Sequence, residues 1–355
     1  MQPRWIAVAW LACLACDRGS APAESSSAAR APAPITAATT APSPVLSAPI
    51  DGDARATLRA VFGAPTNAGR EIGSIEPATN ADPQVDAAGV LVATVGGGRV
   101  VTVWEADGAL HVGGPFDLGT ARFVATDGPH VCAADRESMR CAWIDGSDAT
   151  PRPLVGGTTG LWGGPGVLLR GVGAGASWGL RASSDGFLHE RAVSAPQRTM
   201  VADLEVETTD HWSAVTTAIE GTAKPRLALS TDGGKTPISD FGSLDRVGWS
   251  YGDRLWPNLL VTGALSTELV VAGHGEKQRE LKLPWSAVGG FPWTKNALVL
   301  FGRGTTGSGG FMLVEVDSNR VTSFTPPGGR VIIAAGRVGA SVVAIDVGGK
   351  VLAWP

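Results

Sequence analysis

Val124-Ala125-Thr126-Asp127-Gly128-Pro129-His130-Val131-Cys132-Ala133-Ala134-Asp135-Arg136-Glu137-Ser138-Met139-Arg140-Cys141-Ala142-Trp143 reads as short apolar strands separated by tight turns. Pairing Ala133 with Arg140 and Ala134 with Met139 leaves Asp135 to Ser138 as a four-residue hairpin loop and sets Cys132 opposite Cys141. Two cysteines so placed suit a cross-strand disulfide, which would close a short loop and add roughly 2 to 3 kcal/mol. The same phrase, an aliphatic run, a tight turn and a second run, occurs seven times between Val90 and the C-terminus. Its turns fall at Asp107-Gly108, Glu137-Ser138, Asp185-Gly186, Asp232-Gly233-Gly234, Gly275-Glu276, Ser318-Asn319 and Gly348-Gly349. The intervals average about forty residues, the period of a propeller blade and not of an ankyrin or leucine-rich repeat. They are uneven, roughly thirty residues at the two ends and above forty in the middle.

The remaining runs fit that frame. Val167 to Val172 with Trp178 to Ala182, Val215 to Ile219 with Arg226 to Leu229, Leu259 to Val261 with Leu269 to Ala272, and Leu298 to Phe301 with Met312 to Val316 are short strand pairs bounded by Gly, Pro or Asp. Long helical periodicity is missing after residue 85, and Ala54 to Phe62 fits either one amphipathic helical turn or an edge strand. The last repeat ends early, at Trp354. A propeller hides its edge strands by closing its ring, so a strand from the Glu71 to Ile75 region is expected to complete that blade. The fold class is all-β, a β-propeller of seven blades, with six and eight as the counts the uneven spacing leaves open.

Composition agrees. Among 355 residues, Gly at 48 and Pro at 24 are above average usage and charged residues, at 17%, below it, as many short buried strands joined by turns require. A net charge of −4 with scattered basic residues gives no electrostatic case for a nucleic-acid partner.

Arg4 precedes an apolar run from Trp5 to Ala15, too short for a bilayer and of the length of a secretory h-region. From Asp17 to Ile50 the chain is mostly Ala, Pro, Ser and Thr, so residues 17–53 read as a flexible tether and 54–355 as the propeller domain. As a coil, the tether would hold the domain about 30 to 35 Å from the bilayer. Leu14-Ala15-Cys16 resembles the end of a bacterial lipobox, in which the Cys is diacylated and becomes the new N-terminus. The sequence departs from that pattern at Cys13, where the family prefers Leu, and Cys13 is the second candidate for acylation. The resemblance implies a lipoprotein-type signal peptide over residues 1–16, lipid attachment at Cys16 and stable membrane anchoring without a spanning helix. Asp17 resembles an inner-membrane retention signal, and the choice between inner and outer membrane stays open. Export to an oxidising compartment fits a disulfide between Cys132 and Cys141, the two cysteines outside the signal.

Val124 to Ala133, followed by Arg140-Cys141-Ala142-Trp143, resembles a repeat of the regulator-of-chromosome-condensation family, with Glu137-Ser138 in place of Asp-Gly and Trp143 displaced by one. Ile333-Ala334-Ala335-Gly336 to Ala344-Ile345, then Gly349 to Trp354, fits the same pattern without its His. Gly96-Gly97-Gly98-Arg99 to Val103, then Asp107 to Leu110, fits it with Arg99 at the His position. Ser230-Thr231-Asp232-Gly233-Gly234-Lys235-Thr236 resembles the Asp-box, or bacterial-neuraminidase repeat, with Pro237 for its Trp; Ser183-Ser184-Asp185-Gly186 is a decayed version. The box implies a structural turn in which Ser230, Asp232, Gly234 and Thr236 hold the backbone, and it occurs in enzymes and non-enzymes alike.

Motifs with possible chemistry are weak. Gly175-Ala176-Ser177-Trp178-Gly179 spells a nucleophile elbow, but that mechanism needs a helix after Ser177 and the next residues read as a strand. Gly233-Gly234-Lys235-Thr236 resembles the end of a phosphate loop, yet Leu229 stands where its first Gly belongs. A sialidase-type site needs an Arg triad, an acid and a Tyr nucleophile, for which Tyr251 is the only Tyr. His111, His130, His189, His211 and His274 lie in different repeats, so no metal site is expected, nor any cofactor. Of the 12 Trp, ten lie beyond the signal, and packing between blades is their expected role. The sequence thus points to a monomeric, exported, lipid-anchored protein of a bacterial cell envelope. Its propeller would be non-catalytic and act as a binding or scaffold module, with a protein or glycan ligand on one face. The alternative is a sialidase-like glycan hydrolase.

Overall fold

A computed structural model describes residues 69–76, 82–85, 89–119, 121–173, 178–193, 199–206, 212–218, 226–230, 239–243, 249–251, 259–263, 268–273, 279–294, 297–303, 309–315, 318–324 and 330–354. All of them fall in the unit Ala41–Pro355. Short β-branched and aliphatic runs between turn residues form strands throughout, and these assemble, among the described residues, into seven four-stranded antiparallel sheets. The first strand, β1 (Arg70–Ser74), joins the last sheet. The first sheet comprises β2 (Asp82–Val85), β3 (Leu91–Val95), β4 (Arg99–Ala106) and β5 (Ala109–Phe116). The second has β6 (Phe123–Thr126), β7 (His130–Ala134), β8 (Met139–Trp143) and β9 (Thr150–Pro151). The third has β10 (Thr158–Gly164), β11 (Val167–Val172), β12 (Gly179–Ser183) and β13 (Arg191–Val193). The fourth follows as β14 (Thr199–Val206), β15 (Trp212–Ala218), β16 (Arg226–Ser230) and β17 (Ser239–Ser243). The fifth is β18 (Trp249–Tyr251), β19 (Leu259–Gly263), β20 (Glu268–Gly273) and β21 (Arg279–Lys282). The sixth is β22 (Ser286–Thr294), β23 (Ala297–Arg303), β24 (Gly309–Glu315) and β25 (Arg320–Phe324). The seventh is β26 (Ile332–Val338), β27 (Ser341–Asp346), β28 (Lys350–Trp354) and β1.

Each of the first six sheets is a meander, so its first-to-second and third-to-fourth turns share one side and its second-to-third turn lies on the other; in the seventh, β26 to β28 form the meander and β1 pairs beside β28. The leading strands of successive sheets pack in chain order, β6 on β10, β10 on β14, β14 on β18, β18 on β22 and β22 on β26, and β26 returns to β2. Close approach is possible because the contacting strands carry small residues: a Cβ on Gly163 would sit 2.0 Å from the Thr126 carbonyl oxygen. Where side chains are described, apolar clusters fill the spaces between adjacent sheets, as with Leu91, Val101, Val343 and Val351 between the seventh and first.

The expected strand near Glu71 to Ile75 is β1. It runs antiparallel to β28 with Arg70 opposite Ala353 and Ser74 opposite Lys350. The Ile75 N–H then donates to the Gly349 carbonyl at 2.7 Å. Gly349 has φ +81, and a Cβ there would come within 2.2 Å of the Ile75 oxygen, so this turn admits glycine only.

The uneven spacing has a structural cause. Each of the seven turns belongs to a different sheet, but they are not equivalent. Five fall between third and fourth strands, whereas Glu137-Ser138 and Gly348-Gly349 join second to third strands. In the second sheet the third-to-fourth connection is instead Ile144 to Ala149, and the seventh sheet has none, because its fourth strand is β1. The intervals of roughly thirty residues at both ends are where the pattern slips from one turn class to the other. The same slip affects the family-like segments: Gly96 to Leu110 runs from the turn after the second strand into the fourth, while Val124 to Trp143 and Ile333 to Trp354 run from the first to the third.

Candidate functional site

Among the described residues, the polar side chains best fixed by their surroundings gather where the second and third sheets meet. Asp127, 2% exposed at the end of β6, accepts the His130 N–H at 2.8 Å, and both its oxygens lie 3.0 to 3.1 Å from His130 Nδ1. The carboxylate can only accept, so Nδ1 carries the proton. The His130 ring stacks on Trp143, with centroids 4.4 Å apart. The Asp127 carbonyl accepts the Gly166 N–H of the third sheet at 2.8 Å, which ties the two sheets together at this turn.

Across the junction, Ser183 donates its hydroxyl to Asp185 Oδ1 at 2.8 Å and accepts the Phe187 N–H at 2.9 Å. Asp185 also accepts the His189 N–H at 3.0 Å and, through Oδ2, the His189 ring nitrogen Nδ1 at 2.7 Å. Burial pushes the Asp185 carboxyl up, but these bonds from His189 and Ser183 outweigh it and hold the group below the ordinary carboxylate value. Arg152 bridges the sheets by donating to the Gly186 carbonyl at 2.6 Å. Burial lowers the Arg152 pKa, and the charges of Asp148 and Asp185 oppose that shift. Ser183, Asp185 and His189 do not form a hydrolytic relay. The carboxylate lies between the hydroxyl and the imidazole, whereas a relay needs the imidazole between the other two.

Arg170, in the aliphatic strand β11, is fully buried. Its Nη2 lies 2.8 Å from each Glu190 oxygen, and its guanidinium also points at the carbonyls of Val155 and Gly156. Arg181 stands directly opposite it on β12. The sequence reading missed this group, though a lone Arg inside Val167-Leu168-Leu169-Arg170 was a signal available to it.

The residues nominated from sequence fall as follows. Cys132 and Cys141 are paired across β7 and β8 with Cα atoms 4.1 Å apart and sulfurs 2.03 Å apart, both fully buried. Ser230 ends β16, and Tyr251 ends β18 opposite Val261. Cys13, Cys16, Asp232, Gly234, Thr236, Ser177, His211 and His274 lie outside the described residues. Bonding of the kind implied for Ser230 and Asp232 is seen at Ser183 and Asp185, in the segment with the weaker match. His111 stacks on Trp104, so His111, His130 and His189 each have a separate partner. Among the seven described Trp side chains, Trp104, Trp178, Trp293 and Trp354 are buried and Trp143, Trp162 and Trp285 half-buried.

No protein-family model and no curated protein matches the chain. Solved structures do. YCF48 bound to D1 peptide is 11% identical, with 83% of this chain and 97% of that chain covered and a TM-score of 0.55. YCF48 from Cyanidioschyzon merolae is 8% identical over 80% of this chain and 98% of that one, with a TM-score of 0.54. The WD40 β-propeller domain of Doa1 is 11% identical over 80% and 95%, with a TM-score of 0.53. At such identities the likeness speaks for fold alone: this chain is all-β, with the fold of a β-propeller.

Proposed function

We propose that the protein is a seven-bladed, non-catalytic β-propeller tethered to a bacterial envelope membrane through a lipid on Cys16, and that it works as a binding or scaffold module. The observation that carries this reading is the commitment of polar side chains to holding turns and sheets. Asp127, His130, Ser183, Asp185 and Arg170 each bond to neighbouring protein groups, an arrangement that stiffens this junction and, among these described residues, leaves no nucleophile poised against a base. The paired cysteines suit export, and Leu14-Ala15-Cys16 suits acylation. One propeller of like fold is described with a peptide bound, which favours a peptide or protein ligand over a glycan.

Two measurements test the reading. Cys16→Ala should move the protein from the membrane to the soluble fraction, and unchanged membrane association would sink the anchoring claim. A screen against fluorogenic glycosides should give no turnover. Hydrolysis that disappears with Tyr251→Phe would replace this reading by the sialidase-like one.

A further inference from the structure

Residues directly opposite on adjacent strands project to the same face, so Arg170 and Arg181 leave the third sheet side by side. That face is turned toward the second sheet: Leu161, opposite Arg170 on β10, and Leu168 pack in one cluster with Cys132 and Cys141. Like charges so placed repel. Among the described residues one carboxylate, Glu190, answers the pair, and it is taken up by Arg170 through both oxygens. Arg181 is half-buried and has no carboxylate partner among the described residues. Among the described residues the arginine pair is therefore one negative charge short.

Its rim is apolar. Of three exposed large hydrophobic residues among those described, Val155 (68% exposed) and Leu188 (58%) both lie on turns beside the Arg170–Glu190 pair. The Val155 carbonyl faces the Arg170 guanidinium at 3.4 Å, and Leu188 precedes Glu190 by two residues. A guanidinium with no carboxylate partner among the described residues, beside turns that expose aliphatic side chains, matches an acidic side chain with aliphatic neighbours.

We propose that the outer junction of the second and third sheets docks an extended peptide segment of a partner protein, in which a Glu or Asp flanked by aliphatic residues pairs with Arg181. The proposal rests on the binding-module reading and supplies its ligand class. The test is fluorescence polarisation of the full mature protein with a library of nonapeptides carrying a central Glu between Val and Leu, matched to the same peptides with Gln. Acidic peptides should bind about tenfold tighter than their Gln counterparts, the scale of one charge-assisted hydrogen bond. Arg181→Gln should abolish that preference and leave the thermal midpoint unchanged or raised, because a like charge opposite Arg170 is gone. A fall in the midpoint would make Arg181 a structural residue and overturn the proposal, as would equal binding of Glu and Gln peptides or no acidic binder. Peptides that bind but ignore Arg181→Gln and Val155→Ser would overturn this site and leave the binding-module reading standing. A dimer in sedimentation that Arg181→Gln dissolves would assign the site to a second copy instead of a partner.

Discussion

The second and seventh sheets carry similar sequence phrases and are held together by opposite means. In the second sheet the hold is local. Cys132 and Cys141 link adjacent strands at a sequence separation of 9, and the outer strand is reduced to Thr150–Pro151. Turn carboxylates finish the job: Asp135 accepts the Glu137 and Ser138 N–H groups, and Asp127 accepts from His130. In the seventh sheet the hold is remote. Its outer strand comes from the other end of the domain, and Lys350 meets Glu71 across 279 residues at 2.6 Å. Trp354 lies fully buried with its ring edge-on to Phe311. A sheet that completes its own four strands can rely on short loops. A sheet that borrows a strand must recover the entropy of a long loop from burial.

Because the remote hold depends on packing, the largest effect is expected in the seventh sheet. Trp354→Ala removes a fully buried indole that also backs Gly69 at the entry to β1, where a Cβ would approach the ring to 2.7 Å. The expected loss is about 3 to 5 kcal/mol, read as a lower midpoint in urea unfolding. Replacing both Cys132 and Cys141 by Ala should cost less, about 2 to 3 kcal/mol, through the lost constraint on the unfolded chain. Both sulfurs are sealed under Leu161, Leu168 and Phe187 of the third sheet. Reductant should therefore leave the folded protein oxidised and act only once denaturant opens it, which thiol labelling would detect. If the Cys pair proved the more costly change, the contrast between the two sheets would be reversed. Asp127→Ala comes next. It strips the partners of the His130 N–H and ring, and about 1 to 3 kcal/mol is expected for leaving buried donors unsatisfied.

These sheets also show what a single sequence can reveal. The Cys132–Cys141 register was readable because a four-residue loop and two cysteines admit one pairing, and alternation across a strand makes a slip of one residue costly. The closing strand was readable because a sheet of three strands ending at Trp354 implied a missing fourth. The turn class was not. Asp-Gly and Gly-Gly dipeptides serve second-to-third and third-to-fourth connections alike, so Asp107-Gly108 and Gly348-Gly349 looked equivalent although they lie on opposite sides of their sheets. The Arg170–Glu190 pair was also hidden. The two residues are twenty positions apart in sequence and meet only because the Asp185 turn and the crossing at Val155 are folded against the same strand.

The smallest expected effect concerns the turn carboxylates of the second and third sheets, and it separates them from the apolar hold of the seventh. The Glu137 and Ser138 N–H groups hold the Asp135 carboxyl below its ordinary value, and Asp185 is likewise lowered on balance. A carboxylate whose pKa is depressed by folding contributes stability above its unfolded pKa, about 3.9, and that contribution is lost as pH falls through the lower folded value. In Asp135→Asn the side-chain amide oxygen still accepts from the turn, so the loss at pH 7 should be small, a few tenths of a kcal/mol as for other exposed charges. The informative quantity is its pH dependence. Wild type should be the more stable at pH 7, and the gap in unfolding midpoint should close as the pH approaches 3, because wild type has then lost what the variant never had. Trp354→Ala, by contrast, should keep its deficit through the same range. A constant gap for Asp135→Asn would mean that its turn is held by backbone geometry alone, and the polar character of the local hold would then rest on Asp127.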